Sequence, residues 1–269
     1  MYEFPCTEPV TAQIRVSAGT VEIIAEQRGT VTVDVEPADG SDSSREAAER
    51  TRVEFRDGRL IIEAPEGTGW LLRRSPRLRV HARLPLDSSL QLKTASADAT
   101  VHGRYASVVL NTASGDAYVE HVTGDLSANT ASGDIRVTEV GKHLRVNTAS
   151  GDVAAQVVAG QVTAKSASGD IEIEQAGGGV SATTASGDVR VGTARRGEIR
   201  INSASGDVRI GVVAGTGVWL DLSTLSGATR SDLAVADTPP QSGNAELAVH
   251  VKTMSGDIEL RRVTAPATT

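Results

Sequence analysis

The chain has 269 residues, 39% of them hydrophobic but only 3% aromatic, with 27 Gly and 9 Pro. Its 27 basic and 34 acidic residues leave a net charge of −7, which excludes an overall electrostatic footprint for nucleic acid. So few rings leave few platforms for stacking sugars or bases, and an apolar content of Val, Ala, Leu and Ile points to β structure.

The opening segment, MYEFPCTEPV, has neither a basic n-region nor an apolar h-region, and no run approaches the roughly 18 apolar residues of a membrane span. A cytoplasmic protein without a transmembrane segment is expected. Cys6 is the sole cysteine, so no intrachain disulfide forms and the thiol reads as inert. Alternating stretches follow at Gln13–Ser17, Thr20–Ala25 and Thr30–Glu36, then at Val53–Phe55, Leu60–Ala64 and Leu78–Leu84, each with the pattern of a half-buried strand. Between them the polar run Ser41–Arg52 reads as a short helix capped by Ser or Asp, or as a loop. Residues 1–87 are expected to form irregular first coils and a cap. One irregular stretch, Gly67–Arg83, sets Trp70, Leu71 and Leu72 beside Arg73 and Arg74 in an acidic protein. Two readings stand for it: packing over an end of the fold, or a contact for a protein partner or a membrane surface.

From residue 94 onward a motif recurs: TASAD at 94–98, TASGD at 112–116, 130–134 and 148–152, SASGD at 166–170, TASGD at 184–188, SASGD at 203–207, TLSGA at 224–228 and TMSGD at 253–257. The fourth positions from Ala97 to Gly187 are 18 residues apart, and Gly206, Gly227 and Gly256 follow at 19, 21 and 29. Apolar residues fall 2, 4, 7, 11, 13 and 16 positions after each glycine, as Ile135, Val137, Val140, Leu144, Val146 and Ala149 do after Gly133. Spacings of 2 with frequent glycine corners fit no helical stripe, so the elements are strands. Such short strands cannot stand alone, but coils stacked at about 4.8 Å pair each strand with its counterpart one coil away. The expected fold is all-β: a right-handed parallel β-solenoid with 18-residue coils and two short strands per coil, regular over residues 88–269 and continuous with the cap. The bend alanines Ala131, Ala149, Ala167, Ala185 and Ala204 are expected inside, which would close the lumen to a ligand.

The successive Thr/Ser-Ala-Ser-Gly-Asp-Ile/Val-x-Val units, the variant LKTASADATV at 92–101 and the lead-in RLRVHARLP at 77–85 resemble the DUF4097 family of bacterial β-strand-repeat proteins, sometimes labelled adhesins. The resemblance covers most of the chain and implies a β-solenoid.

The most insistent polar feature is the aspartate after each glycine, including Asp116, Asp134, Asp152, Asp170 and Asp188. Stacking sets these carboxylates about 5 Å apart, where each neighbour costs roughly 1 kcal/mol in water. A hydrogen bond from the turn backbone to a charged acceptor, worth about 1.5–3 kcal/mol, would offset that. The alternative is a ladder of calcium ions as in nonapeptide β-rolls, although here the Asp recurs in only one half of each coil. A second column, Asn111, Asn129, Asn147, Lys165, Thr183 and Asn202, faces outward by alternation and reads as a hydrogen-bonded ladder. His81, His102, His121, His143 and His250 fall at different phases, so no metal cluster is expected. The reading is a non-catalytic scaffold or protein-interaction solenoid without a cofactor. A cation-binding module comes second, and a polysaccharide-acting β-helix enzyme third.

Overall fold

The computed structural model describes residues 1–65, 75–233 and 246–264. Two compact units, residues 1–137 and 138–269, are each assembled from stacked coils of short strands.

The first unit runs through β1 (Tyr2–Pro5), β2 (Thr11–Glu26), β3 (Thr30–Pro37), helix α1 (Asp42–Arg50), β4 (Arg52–Arg56), β5 (Arg59–Glu63), β6 (Leu78–Pro85), β7 (Ser88–Asn111), β8 (Ala117–Val122) and β9 (Leu126–Asn129). β10 (Ile135–Val140) crosses into the second unit. The two stretches read around residues 13–25 form one strand, β2, bent at Gly19. There φ is +117° and a Cβ would overlap the Leu78 backbone, so only glycine fits. β2 pairs in parallel with β5 and β6 on one side and with β7 on the other, which puts Val21 opposite both Val80 and Ala99. Ile14, Val16, Val21 and Ile23 are thereby buried. The outer coil is closed by antiparallel strands, β4 on β5, β3 on β6 and β1 on β3. This closure departs from the parallel pairing of the later coils. It occupies strand edges that would otherwise be open to another chain. The polar run forms α1, capped by the Ser41 hydroxyl, which accepts the Ser44 N–H at 3.2 Å.

The second unit comprises β11 (Leu144–Asn147), β12 (Val153–Val158), β13 (Val162–Lys165), β14 (Ile171–Ala176), β15 (Val180–Ser186), β16 (Val189–Ala194), β17 (Gly197–Ser205), β18 (Val208–Val213), β19 (Val218–Ser226), β20 (Thr229–Ser231), β21 (Leu247–Ser255) and β22 (Ile258–Val263). Successive coils pair in parallel, Leu144 opposite Val162 in one ladder and Ile171 opposite Val189 in the other. In one representative coil Ile171, Ile173, Ala176, Val180 and Ala182 all face the lumen and are buried, as the spacing predicts. Burying each large aliphatic side chain contributes about 1.5–3 kcal/mol.

Two expectations are corrected. The bend alanines Ala131, Ala149, Ala167, Ala185 and Ala204 are exposed; the hydroxyl residue before each one turns inward instead, most completely at Ser166, Thr184 and Ser203. Strand alternation from Leu144 and Val146 carries on to Thr148, which puts Ala149 on the outer phase. The last coils also do not stack in chain order. β21 lies between β17 and β19, and β22 pairs with both β18 and β20, so the coil of residues 247–263 is inserted between the coil of residues 197–213 and that of residues 218–231.

Candidate functional site

Two kinds of hydrogen bond hold the repeat corners, the first of them at the corners of Thr112, Thr130, Thr148 and Ser166. The inward hydroxyl accepts the glycine N–H three residues on: Thr130 from Gly133 at 2.9 Å, Thr148 from Gly151 at 2.8 Å and Ser166 from Gly169 at 2.7 Å. The glycine itself lies against the corner of the preceding coil, where a Cβ on Gly133 would overlap the Gly115 carbonyl.

The aspartates bond between coils rather than within their own turn. In the first unit Asp98 Oδ1 accepts the Asp116 N–H at 3.1 Å, and Asp116 Oδ1 accepts that of Asp134 at 2.9 Å. In the second, Asp152 Oδ1 accepts from Asp170, Asp170 from Asp188, Asp188 from Asp207, and Asp207 from Asp257, all at 2.8–2.9 Å. The last rung is Ala228, whose N–H reaches Asp257 Oδ1. Several second oxygens meet arginine: Asp134 meets Arg136 at 3.0 Å, and Arg209 spans Asp188 at 3.3 Å and Asp207 at 3.0 Å. Thus one oxygen of Asp98 and Asp116, and one of each aspartate from Asp152 to Asp257 in the second unit's column, is committed to the backbone. Among the described residues no group of three or more His, Cys, Asp or Glu side chains is arranged to hold a metal.

The outer faces carry isolated charge pairs. Asn129 Nδ2 donates to Asn111 Oδ1 at 3.0 Å, the first rung of the expected amide ladder. His81 Nδ1 lies 3.0 Å from Glu22, His102 Nδ1 3.5 Å from Glu120, and His250 Nδ1 3.3 Å from Asp221. Glu120 also accepts the Gly103 N–H at 2.7 Å, and this bond, more than its two histidines, holds its carboxyl below the usual carboxylate range. Arg104 does the same for Asp87 through a two-pronged contact at 2.7 and 2.8 Å. An open cavity of about 490 Å³ in the first unit is lined by Glu22, Arg28, Asp34, His81 and Arg83. In the second unit one of about 360 Å³ lies over Gly192 and Gly211, walled by Arg190, Arg209 and Arg261. Arg190 is engaged by Glu172 at 2.9 Å, and Arg261 by Glu259.

Trp70, Leu71, Leu72, Arg73 and Arg74 lie outside the described residues. The sequence reading does not single out Leu225 and Met254, which are 83% and 61% exposed and, with Trp219 at 42%, give the end coils an apolar outer edge. The Trp219 ring sits 4.8 Å from that of His250. A signal was present. Leu225 and Met254 stand at the corner position that is Ala in the preceding coils.

A family model described as Toastrack DUF4097 matches residues 87–175 and 141–261. No curated protein matches the chain. Among solved structures, a putative adhesin from Bacteroides fragilis NCTC 9343 is similar at 11% identity, over 97% of this chain and 95% of that one, with a TM-score of 0.51. A putative lipid binding protein from Parabacteroides distasonis ATCC 8503 is 15% identical over 97% and 95%, with a TM-score of 0.41. A putative adhesin from Parabacteroides merdae ATCC 43184 is 10% identical over 97% and 95%, with a TM-score of 0.38. At these identities the likeness to the Bacteroides fragilis protein is one of fold.

Proposed function

The chain belongs to the Toastrack DUF4097 family, and from that premise we propose that it is a non-catalytic scaffold that binds a protein partner through the outer faces of its coils. The contrast between constant corners and variable faces carries this reading. Across the second unit the Asp bond repeats from coil to coil, while one outward column changes at almost every step: Ala154, Glu172, Arg190, Arg209, Glu259, Arg230. A repeat scaffold that fixes its backbone and varies its outward side chains writes recognition on those faces. The ordered ion pairs along them suit a polar partner surface better than a small apolar ligand.

The test compares capture from the native cell by the wild-type chain and by a variant with Arg190→Ser, Arg209→Ser and Arg261→Ser. Exposed ion pairs contribute only about 0–1 kcal/mol each, so the variant stays folded. The reading expects a protein held by the wild type to be lost by the variant at nearly the same melting temperature. Identical recovery with both contradicts this assignment of the face.

A further inference from the structure

Beyond the end coil of the second unit lies no described strand. Among the described residues β19 pairs only with β21 and β20 only with β22, so one edge of each keeps main-chain groups without strand partners. Its lumen-phase residues Val218, Leu220 and Leu222 are half-exposed, whereas Leu247, Val249 and Val251 opposite them are fully buried. The outer side of this end carries Trp219, Leu225 and Met254. At the corner position Ala113, Ala131, Ala149, Ala167, Ala185 and Ala204 are all small, and the change to Leu225 and Met254 comes in the two outermost coils of the stack. Solvent gives no reason for that change, because each enlarged side chain adds apolar area to water.

We propose that this end is a self-association surface, in which β19 pairs antiparallel with β19 of a second copy about a two-fold axis at Leu222. The strand is self-complementary about that residue. Trp219 falls opposite Leu225, Leu220 opposite Thr224 and Asp221 opposite Ser223, each twice, as an isologous contact requires. Trp219 then covers Leu225 and the adjacent Met254 of the other copy, so the exposed apolar side chains account for one another. Asp221 faces a hydroxyl rather than its own counterpart. An axis one residue later would set Leu225 against Asp221 and leave Trp219 opposite Gly227. Area sets the strength: a nine-residue strand at about 3.3 Å per residue, with sheets about 10 Å apart, offers about 300 Å² of end surface. A stable interface needs about 800 Å² per partner, so the dimer is a concentration-dependent equilibrium and not an obligate one.

The test uses the full chain with Cys6→Ser, so that an added thiol is the only one. Directly opposed residues of an antiparallel pair have Cα atoms about 4.5–5.5 Å apart, within disulfide range. Leu222→Cys should therefore give a covalent dimer on oxidation, while Ser226→Cys, which the axis sets opposite Val218, should not. Sedimentation velocity of the wild type should show a monomer–dimer equilibrium by millimolar concentration, weakened at least tenfold by Leu225→Asp with Met254→Ser at an unchanged melting temperature. Cross-linking at position 226 in place of 222, or dimers indifferent to the double change, would overturn the proposal. So would a wild type that stays monomeric because another segment of the chain or a different protein takes the edge.

Discussion

Ala228 donates its main-chain N–H to Oδ1 of Asp257 at 2.8 Å, although Asp257 lies 29 residues further along the chain. In the second unit the aspartates at this position, from Asp152 to Asp257, each give Oδ1 to the N–H of the next coil. Ala228 belongs to the coil beyond which no described strand lies. A carboxylate there would have no N–H to receive and would add only repulsion toward Asp257. Stacking in chain order would instead place Ala228 between Asp207 and Asp257 and leave the Asp257 N–H without an acceptor. The missing aspartate thus favours the observed coil order.

Replacing the two residues separately should be asymmetric. Asp257→Ala removes the acceptor of the Ala228 N–H in a partly buried corner and should lower stability by about 1–2 kcal/mol in urea unfolding. Ala228→Asp adds an unused, half-exposed carboxylate one coil from Asp257 and should lower stability by no more than about 1 kcal/mol, a loss that salt screens. Equal losses from the two would contradict the ladder.

The corner hydroxyls offer an internal control. Thr148 Oγ1 holds the Gly151 N–H at 2.8 Å, so Thr148→Val strands a donor and should cost about 1–3 kcal/mol. Thr184 Oγ1 is buried with no hydrogen-bond partner among the described residues, and Thr184→Val replaces it by an apolar group of the same shape. That change should leave the melting temperature unchanged or raise it. A loss at 184 matching that at 148 would show that both hydroxyls are bonded alike.

Much of the fold was legible because inward residues such as Val137, Val146 and Ile173 repeat at fixed spacing, and period fixes both the strands and their stacking partners. The order of the end coils was not legible from apolar pattern alone. Val218, Leu220 and Leu222 carry the same phases as Leu247, Val249 and Val251, so either half-coil fits against β17. The one residue that separates them is Ala228, where a carboxylate is absent. The expectation for Ala149 fails for a related reason: hydropathy favours alanine inside, but the buried Gly151 N–H needs an acceptor, and the Thr148 hydroxyl supplies one. The outward column of Ala154, Glu172, Arg190 and Arg209 has no repeating chemistry for a pattern to reveal.

Tyr105 is fully buried, its hydroxyl has no partner among the described residues, and burial pushes its phenol far above the usual tyrosine range. A raised folded pKa means that its share of stability is intact below about pH 10, the unfolded value, and is lost as pH rises beyond it. Alkaline unfolding should therefore move to higher pH in Tyr105→Phe. The difference in tyrosinate absorbance between wild type and variant should appear only as the chain unfolds; a reversible step in the folded protein would show that the ring is accessible.

Calcium should act weakly. Because Oδ1 of the stacked aspartates is held by backbone N–H groups, adding the ion to chelator-treated protein should leave the melting temperature in place. Binding to the folded state would raise it by mass action, and a saturable rise would assign the column to cations.

The inserted end coil and its carboxylate ladder are tested most directly by scalar coupling through the hydrogen bond itself, measured by NMR on deuterated, isotope-labelled protein. A coupling from the Ala228 amide nitrogen to the side-chain carboxyl carbon of Asp257 is predicted, together with one from the Asp257 amide nitrogen to that of Asp207. A coupling from Ala228 to Asp207 would mean that the coils stack in chain order, and would contradict the account.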